Sequence, residues 1–352
     1  MNILVRLPNW LGDIVMSTGF LNTLAVLYPG STIDVIVKDS FKELIPLLPG
    51  ITDTILFSRR QHSGFGGSVR FGRECAARKK YDLYISLPNS FSSAVTGFFS
   101  RSTRRIGYSA ELRSFLLTDA CKKPSGMHRA EEYVNLLRML HPDKTLPCTI
   151  LLKEPTVKDE SALQLSRITN HPRILVNIHS AAQSRKLPHS KAVSLCKMLI
   201  ERLHCTLLFT GTQSESEYTS RVISSINDPQ HCIDYSGKLN LVQLAHLCTL
   251  ADIALSTDSG IAHLANAVGT HVVVLFGAGN EKSTAPYNSK NCTIVRADGI
   301  SCAPCVSNTC RFGHVQCMHS INENRVIETI SSRLKIFKMN TPTESTKSGK
   351  IS

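Results

Sequence analysis

Residues 1–155 alternate short apolar runs with longer stretches in which apolar residues recur every three or four positions. The short runs predict buried strands, and the longer stretches predict amphipathic helices. The predicted strands are Asn2–Arg6, Ile33–Val37, Thr54–Phe57 and Leu83–Leu87, and the predicted helices are Asp13–Leu27 and Arg129–Leu140. This alternation is typical of a parallel sheet whose strands are joined by crossover helices.

A second series of the same kind begins at Arg173. Its predicted strands are Arg173–Ile178, Cys205–Thr210, Ile253–Ser256 and His271–Phe276, separated by helices at Lys191–Arg202, Leu241–Leu250 and Ser259–Val268. Gly269 follows the last of these helices, where glycine is the preferred C-terminal cap. The chain is therefore predicted to contain two doubly wound sheets.

These patterns predict an α/β protein of two Rossmann-like domains. The first domain spans residues 1–155, and residues 156–172, without a convincing strand, are predicted to be a linker. The second domain, with a C-terminal helix, spans residues 173–337, and the polar residues 338–352 are predicted to be a disordered tail. Because ligands bind outside the carboxyl ends of such strands, two facing domains predict a cleft.

The composition fits this organisation. The chain has 352 residues, of which 42% are hydrophobic, and single hydrophobic cores stop growing at about 250–300 residues. No signal peptide is visible and no stretch of about 18 apolar residues occurs, so we expect a soluble cytoplasmic protein. The twelve cysteines are spread through a long chain, and we expect them to be reduced.

The net charge of +13 favours anionic partners: nucleic acid, anionic lipid headgroups or phosphorylated sugars. Basic residues cluster in the first domain, at Arg59, Arg60, Arg101, Arg104, Arg105, Arg113, Lys122, Lys123, His128 and Arg129. The cluster indicates a bulky anionic ligand, although a solvated surface has the same pattern. Aromatic residues are only 6% of the chain and no nucleic-acid motif is present, so no nucleic-acid partner is predicted.

The loop after the first strand leads directly into a helix and contains Gly12 and Asp13. Asp13 is either a first-turn acid favoured by the helix dipole, worth about 0.3–1 kcal/mol, or a general base. Gly12 would let a substrate approach the backbone closely. No GxGxxG sequence follows this strand, so the usual dinucleotide fingerprint is absent.

The loop Ser256–His263 follows a strand of the second domain and opens a helix. Free backbone N–H groups of Ser259 and Gly260 suit a diphosphate, whereas Asp258 is better suited to sugar hydroxyls. Thr257 or Asp258 could equally be a simple helix cap. The spacing alone leaves both interpretations open.

Two further loops follow predicted strands of the second domain, and a turn precedes the predicted helix Leu241–Leu250. Ser180–Pro188 contains Arg185 and Lys186, whose charges could neutralise a leaving diphosphate, although paired basic residues are also common on solvated loops. Glu215 could bind ribose hydroxyls or be an ordinary acid at a helix start. Leu239 lies in a turn whose backbone could meet the edge of a nucleotide base.

The thiols of Cys302, Cys305, Cys310 and Cys317 fall within sixteen residues. Such a set could hold zinc, but only the first pair has the tight spacing of a zinc knuckle. Reduced structural thiols or one labile disulfide are the favoured interpretation, so no metal site is predicted.

Several segments resemble glycosyltransferase family 9, the lipopolysaccharide heptosyltransferases, and most closely its heptosyltransferase II branch. The resemblance covers roughly residues 1–335. It depends on Arg6–Asp13, Thr257–Ala265, Phe276–Gly277, Pro286–Tyr287 and the group Cys302, Pro304, Cys305, Cys310, Gly313, His314 and Cys317.

The resemblance implies a GT-B fold in which the first domain binds an acceptor and the second binds ADP-heptose. It implies that Asp13 deprotonates the acceptor hydroxyl, which attacks the anomeric carbon opposite ADP and inverts its configuration. With the basic loop included, the expected donor-binding residues are Ser180, Arg185, Lys186, Glu215, Leu239, Thr257, Asp258, Ser259, Gly260 and His263. The expected acceptor-binding residues are Asn9, Trp10, Gly12, Arg59, Arg60, Arg113 and His128.

The implied reaction adds a second heptose to heptosyl-Kdo2-lipid A at the inner face of the cytoplasmic membrane. It requires no cofactor, and Mg²⁺ assistance is left open. Relatives usually have lysine at position 185 and often tryptophan at position 187, where this chain has Arg185 and Leu187. The alternatives are a family 9 transferase with another donor or core position, and a non-catalytic basic protein that binds nucleic acid or lipid.

Overall fold

A computed structural model describes residues 1–157, 163 and 171–340. The first domain is built on a six-stranded sheet in the order β3-β2-β1-β4-β5-β6, and all of its strand pairs are parallel. Its strands are β1 (Asn2–Arg6), β2 (Thr32–Lys38), β3 (Asp53–Phe57), β4 (Leu83–Ser86), β5 (Arg104–Tyr108) and β6 (Asp119–Cys121). This order is that of a doubly wound Rossmann-like sheet.

The helices of the first domain cover both faces of this sheet. They are α1 (Leu11–Met16), α2 (Thr18–Leu27), α3 (Arg59–His62), α4 (Gly64–Arg78), α5 (Phe91–Phe99) and α6 (Arg129–Leu140). The helix predicted over Asp13–Leu27 is divided at Ser17 into α1 and α2. The Ser17 hydroxyl donates to the Ile14 carbonyl at 2.7 Å, and bonds of this kind locally distort a helix.

The second domain repeats this architecture with the order β12-β11-β10-β7-β8-β9, again with parallel pairs. Its strands are β7 (Arg173–Asn177), β8 (Thr206–Phe209), β9 (Cys232–Asp234), β10 (Ile253–Thr257), β11 (Val272–Phe276) and β12 (Cys292–Arg296). Its helices are α7 (His189–Leu203), α8 (Ser216–Ile226), α9 (Leu241–Leu250), α10 (Gly260–Ala267), α11 (Glu281–Thr284), α12 (Gln316–His319) and α13 (Glu323–Asn340).

The central strands are buried because helices pack on both faces of each sheet. β10 and β11 are buried at every position, as continuous apolar strands of parallel sheets usually are. The amphipathic helix α13 places Val326 and Ile330 in the core of the second domain. Gly269 has φ = 97° and follows Val268, the C-cap residue of α10, which confirms its predicted position as the glycine that ends this helix.

The two-domain α/β fold is thus as predicted. Strands β5, β6, β9 and β12 and helices α3, α4, α5, α8, α11 and α12 were not predicted. Helix α13 continues to Asn340, past the predicted start of the tail at residue 338, and residues 341–352 lie outside the described residues. Most of the predicted linker, 156–172, also lies outside them. Among the described residues, no helix has both the length and the hydropathy that crossing a bilayer requires.

Candidate active site

The loops that contain the predicted site residues all follow the carboxyl ends of strands. In the first sheet, β1 and β4 lie at the point where the strand order reverses, and in the second sheet β7 and β10 do. Such switch points open crevices for ligands. The loop after β1 contains Asp13, and the loop after β10 contains Asp258.

Asp13 lies in the first turn of α1 with a half-buried side chain. The Tyr133 hydroxyl, on α6, donates to Asp13 Oδ1 at 3.1 Å. Arg129 lies four residues before Tyr133, on the same face of α6, and its charge together with that of Lys123 also acts on the carboxylate. The acid is therefore held by α6 as well as by the dipole of α1.

Burial raises the pKa of Asp13 above its ordinary value of 3.8, against the opposing effects of Arg129, Tyr133 and Lys123. A carboxylate that is partly desolvated is a stronger base than one in water. The hydrogen bond from the Tyr133 hydroxyl to Asp13 Oδ1 orients the carboxylate. This combination is what a general base for a hydroxyl group requires.

The loop after β10 is held by hydrogen bonds that leave the start of α10 uncapped. The Thr257 hydroxyl donates to the His179 carbonyl, and Asn177 Nδ2 donates to Ser259 Oγ at 2.8 Å. Ser259 occupies the N-cap position with no side-chain cap hydrogen bond. Capping is therefore not the role of Thr257, and the first N–H groups of α10 remain suited to an anion.

Asp258 is almost fully buried and lies beside Arg185, whose Nη1 is 3.1 Å from Asp258 Oδ2. Burial raises the pKa of Asp258 to about 6, although the charges of Arg185 and Arg296 both oppose this shift. The Ser180 hydroxyl donates to the Asp258 carbonyl at 3.1 Å. The ion pair between Arg185 and Asp258 and the hydrogen bond from Ser180 thus join the loops after β7 and β10 into one site.

The remaining donor candidates lie around the same edge of the second sheet. Lys186 Nζ lies 3.4 Å from the ring centroid of Tyr218, so the two neighbouring cations contact different partners. Glu215 Oε2 accepts the Thr212 N–H at 2.8 Å in a capping box, and Oε1 lies 4.0 Å from His179 Nδ1. Leu239 is half-buried in the turn after β9.

Helices α1 and α10 meet at their first turns, which brings the two loops together across the domains. A Cβ atom added to Gly12 would lie 2.8 Å from His263 Cδ2. A Cβ atom added to Gly260 would lie 2.8 Å from Leu11 Cβ and 3.1 Å from Gly12 N. His263 is fully enclosed here, and burial lowers its pKa to about 4, so it is neutral at pH 7.

We expect Gly12→Ala to reduce both stability and activity, because the new methyl group overlaps His263. Overpacking of this kind typically costs about 1–3 kcal/mol. Gly66→Ala is the matched control, since a Cβ atom at that helical position meets nothing within 4 Å. Urea unfolding of the two variants measures the difference; equal midpoints would show that α1 and α10 separate without cost.

The acceptor candidates do not all lie in one place. Asn9, Trp10 and Arg59 line a cavity of 440 Å³ in the first domain, and Arg60 is an exposed neighbour on α3. Gly12 lies at the contact with α10, and His128 Nε2 lies 2.9 Å from the Ala285 carbonyl of the second domain.

The acceptor-binding prediction for Arg113 requires a correction. Its side chain is fully buried, and Nη1 donates to the Pro88 carbonyl at 2.6 Å and to Ser93 Oγ at 3.0 Å. Nε donates to the Tyr108 carbonyl at 2.8 Å. The buried Arg113 side chain therefore stabilises the loop between β4 and α5 through hydrogen bonds and is not exposed to an acceptor.

All twelve cysteines are free thiols. Cys302, Cys305, Cys310 and Cys317 line one cavity of 220 Å³. Backbone amides of Val315 and Phe312 lower the pKa of Cys310. Over the described part of the chain, no group of three or more histidine, cysteine or acidic residues is arranged to hold a metal ion.

The sequence did not single out Tyr133, Arg296 or Gly279. Arg296 Nη2 lies 2.9 Å from Glu281 Oε2 and donates to the Gly277 carbonyl at 3.3 Å. A Cβ atom on Gly279 would overlap Asp258 Oδ2, so this glycine is needed beside the acid. Only the i, i+4 spacing of Arg129 and Tyr133 gave a sequence signal, and that signal is equally typical of a structural helix face.

Two doubly wound domains that meet at a half-buried carboxylate and an uncapped helix N-terminus have the architecture of the GT-B fold. Residues 69–316 match the model of glycosyltransferase family 9 (heptosyltransferase). The chain belongs to this family.

Named relatives and a solved structure agree with this assignment. Lipopolysaccharide heptosyltransferase 2 of Salmonella typhimurium is 28% identical, over 95% of this chain and 99% of its own length. Lipooligosaccharide heptosyltransferase 2 of Haemophilus influenzae is 28% identical, over 84% of this chain and 88% of its own length. The structure of Escherichia coli ADP-heptose lipopolysaccharide heptosyltransferase II superposes with a TM-score of 0.81 at 24% identity, covering 96% of this chain and all of that one.

Proposed function

We propose that the protein transfers heptose from ADP-L-glycero-β-D-manno-heptose to heptosyl-Kdo2-lipid A, as the second heptose of the lipopolysaccharide inner core, with inversion at the anomeric carbon. The observation that supports this most directly is the contact between the first turns of α1 and α10. Gly12 contacts the N-terminus of α10, which suits a diphosphate, and the base candidate Asp13 is the next residue of the chain. The names of the relatives support heptose as the transferred sugar and lipopolysaccharide as the acceptor class.

In this proposal Asp13 accepts the proton of an acceptor hydroxyl as the oxygen attacks the anomeric carbon. The ADP leaving group departs on the opposite face, toward the first N–H groups of α10. Arg185 and the helix dipole stabilise the negative charge that develops on the diphosphate, and Asp258 and Glu215 are available to sugar and ribose hydroxyls. Because one displacement occurs, the configuration inverts.

We propose that the enzyme works at the cytoplasmic face of the inner membrane as a peripheral protein. The first domain concentrates exposed cations, among them Arg59, Arg60 and Arg101. Such a surface is attracted to anionic lipid headgroups over about a Debye length, about 8 Å at physiological salt. The same charge suits an acceptor built on lipid A.

The test is transfer from ADP-L-glycero-β-D-manno-heptose to defined heptosyl-Kdo2-lipid A, followed by mass spectrometry. A product heavier by one heptose supports the donor and acceptor, and NMR of the new glycosidic bond reports its configuration. An enzyme that binds ADP and adds no heptose to this acceptor would exclude the proposed pair. The same assay with other nucleotide sugars then identifies the donor.

We expect transfer to proceed without a bound metal, because Arg185 and the N–H groups of α10 can stabilise the leaving diphosphate. Transfer rates measured in EDTA and in Mg²⁺ test this, with any Mg²⁺ effect limited to a modest acceleration. Thermal unfolding with and without chelator extends the test to the four cysteines that line the 220 Å³ cavity. Stoichiometric zinc in the purified protein, with unfolding on chelation, would contradict this expectation.

A further inference from the structure

The 440 Å³ cavity in the first domain, named here the Arg6 cavity, lies at the carboxyl ends of β1, β2 and β3. It is lined by Arg6, Asn9, Trp10, Lys38, Phe57, Arg59, His62, Ser63, Gly64, Ser68, Ser90, Ser92, Ser93 and Thr96. These residues supply three cationic side chains and many hydroxyl groups. Among the described residues that line the cavity, none is acidic.

Arg6 is the last residue of β1 and is 5% exposed. Its guanidinium carbon lies 4.0 Å from the ring centroid of Phe57, and Nη2 donates to Asn9 Oδ1 at 3.3 Å. Nη1 is buried and has no hydrogen-bond partner among the described residues. Arg6 is thus a buried cation whose guanidinium contacts only neutral groups of the described chain, the Asn9 amide oxygen through a long hydrogen bond and the ring of Phe57.

A buried cation without a counter-charge is costly, so proteins usually pair buried arginines with carboxylates. Burial lowers the pKa of Arg6 to about 10, which leaves the guanidinium charged at pH 7. Elsewhere in the same domain such charges are paired: the carboxylate of Glu132 lies within 3.3 Å of the cationic groups of both Arg129 and Lys123. An anion that enters the Arg6 cavity would supply the missing charge.

We propose that the Arg6 cavity is an anion subsite that binds a carboxylate or phosphate group of a sugar, with Arg6 as its central charge. Lys38 and Arg59 add positive charge, and Ser90 and Ser92, whose hydroxyl oxygens lie 3.2 Å apart, can offer a hydroxyl donor. Arginine suits both anions because its planar fork can donate two parallel bonds.

The subsite assigns a positioning role to Arg6, and this part rests on the proposed function. The loop from Arg6 through Asn9 and Trp10 leads directly to Asp13. An acceptor anchored in the cavity by its anionic group would therefore present a neighbouring hydroxyl near the base. The chemistry restricts the acceptor to anionic sugars and disfavours neutral analogues of the same size.

Trp10 provides a direct assay, because it is the only tryptophan of the chain, is 64% exposed and lines the cavity. Inorganic phosphate and free Kdo, a carboxylate sugar, are titrated separately while Trp10 fluorescence is recorded. We expect a saturable change with at least one probe and about a tenfold weaker affinity in Arg6→Gln, as for loss of a charged hydrogen bond. The stronger probe identifies the anion as phosphate or carboxylate.

Arg78→Gln is the matched control, since Arg78 is half exposed at the far end of α4. Its titration should equal that of the wild type. Thermal unfolding checks that Arg6→Gln is folded, and Arg6→Lys, which keeps the charge but loses the fork, should bind with intermediate affinity. If Arg6→Gln is unfolded, Lys38→Gln on the half-buried rim replaces it, with a several-fold loss expected.

Transfer assays separate this inference from the proposed function. A raised acceptor KM in Arg6→Gln with little change in kcat supports the positioning role. Probe binding that depends on Arg6, in an enzyme that transfers no heptose to the proposed acceptor, supports the subsite and contradicts the proposed function. Absence of probe binding to the wild type, or equal binding by folded Arg6→Gln, overturns the subsite.

Discussion

Asp13→Asn should abolish detectable transfer while leaving the affinity for ADP nearly unchanged. An amide cannot accept the acceptor proton, and positioned general bases typically contribute about 10²- to 10⁴-fold to rate. The carboxylate contacts Tyr133 of the first domain, whereas the donor candidates follow strands of the second. Single-turnover transfer and calorimetric titration with ADP measure the two effects separately.

The alternative role of Asp13, a first-turn acid that only stabilises α1, predicts a different result. It predicts a loss of about 0.3–1 kcal/mol in stability with activity preserved. Glu323→Gln is a suitable comparison, because Glu323 lies in the first turn of α13. If Asp13→Asn loses no more activity than Glu323→Gln, Asp13 is not the base.

The pH profile adds a second test of the same group. Because burial raises the pKa of Asp13, activity should fall as pH decreases through a value above 3.8, where the base becomes protonated. The Tyr133 hydroxyl lowers this pKa, so Tyr133→Phe should move the acidic limb of kcat/KM to higher pH. An unmoved limb in this variant would assign the limb to another group.

The sequence predicted the continuous apolar strands and several amphipathic helices, but not the 15-residue helix α4 or the 11-residue helix α8. Strand β11 is apolar at all five positions, and α9 was predicted with its observed bounds, Leu241–Leu250. The strands that escaped prediction are short or polar. β5 begins with Arg104 and Arg105, and β6 has only three residues. Pairing with a neighbouring strand stabilises such segments, and a single sequence does not display that pairing.

The candidate site residues were predictable where several of them lie in one loop, as in Ser256–His263. It was not predictable where contacts join distant segments. The hydrogen bond between Tyr133 and Asp13 connects α6 with α1, and Asp258, the partner of Arg185, follows three strands later in the chain. Arg113 was misassigned because a basic residue among exposed arginines gives no sign that its own side chain is buried.

Arg185→Ala should weaken ADP affinity and kcat/KM together, each by about 10- to 100-fold. This size corresponds to a hydrogen bond with a charged group, and equal losses are expected because the guanidinium meets the diphosphate in both ground and transition states. Arg202→Ala is the matched control, since Arg202 is exposed at the end of α7 and bonds to Asn324. Calorimetry with ADP and steady-state kinetics provide the two measurements.

The pairing of Arg185 with Asp258 allows a sharper test, because the arginine could act only by neutralising the buried acid. Removing Arg185 should raise the pKa of Asp258 further above about 6. A carboxyl group with a raised folded pKa loses stability as pH rises from its unfolded pKa, near 3.8, to its folded one. Arg185→Ala should therefore lose more stability at pH 8 than at pH 4.5.

Asp258→Asn in the Arg185→Ala background then separates the two roles. If Arg185 only neutralises Asp258, the amide restores both stability and ADP affinity. If Arg185 binds the diphosphate, the amide restores stability at pH 8 while ADP affinity stays low, because the cation that meets the phosphate is still absent. Recovery of ADP binding in the double variant would remove Arg185 from the donor site and leave the N–H groups of α10 as the main diphosphate contact.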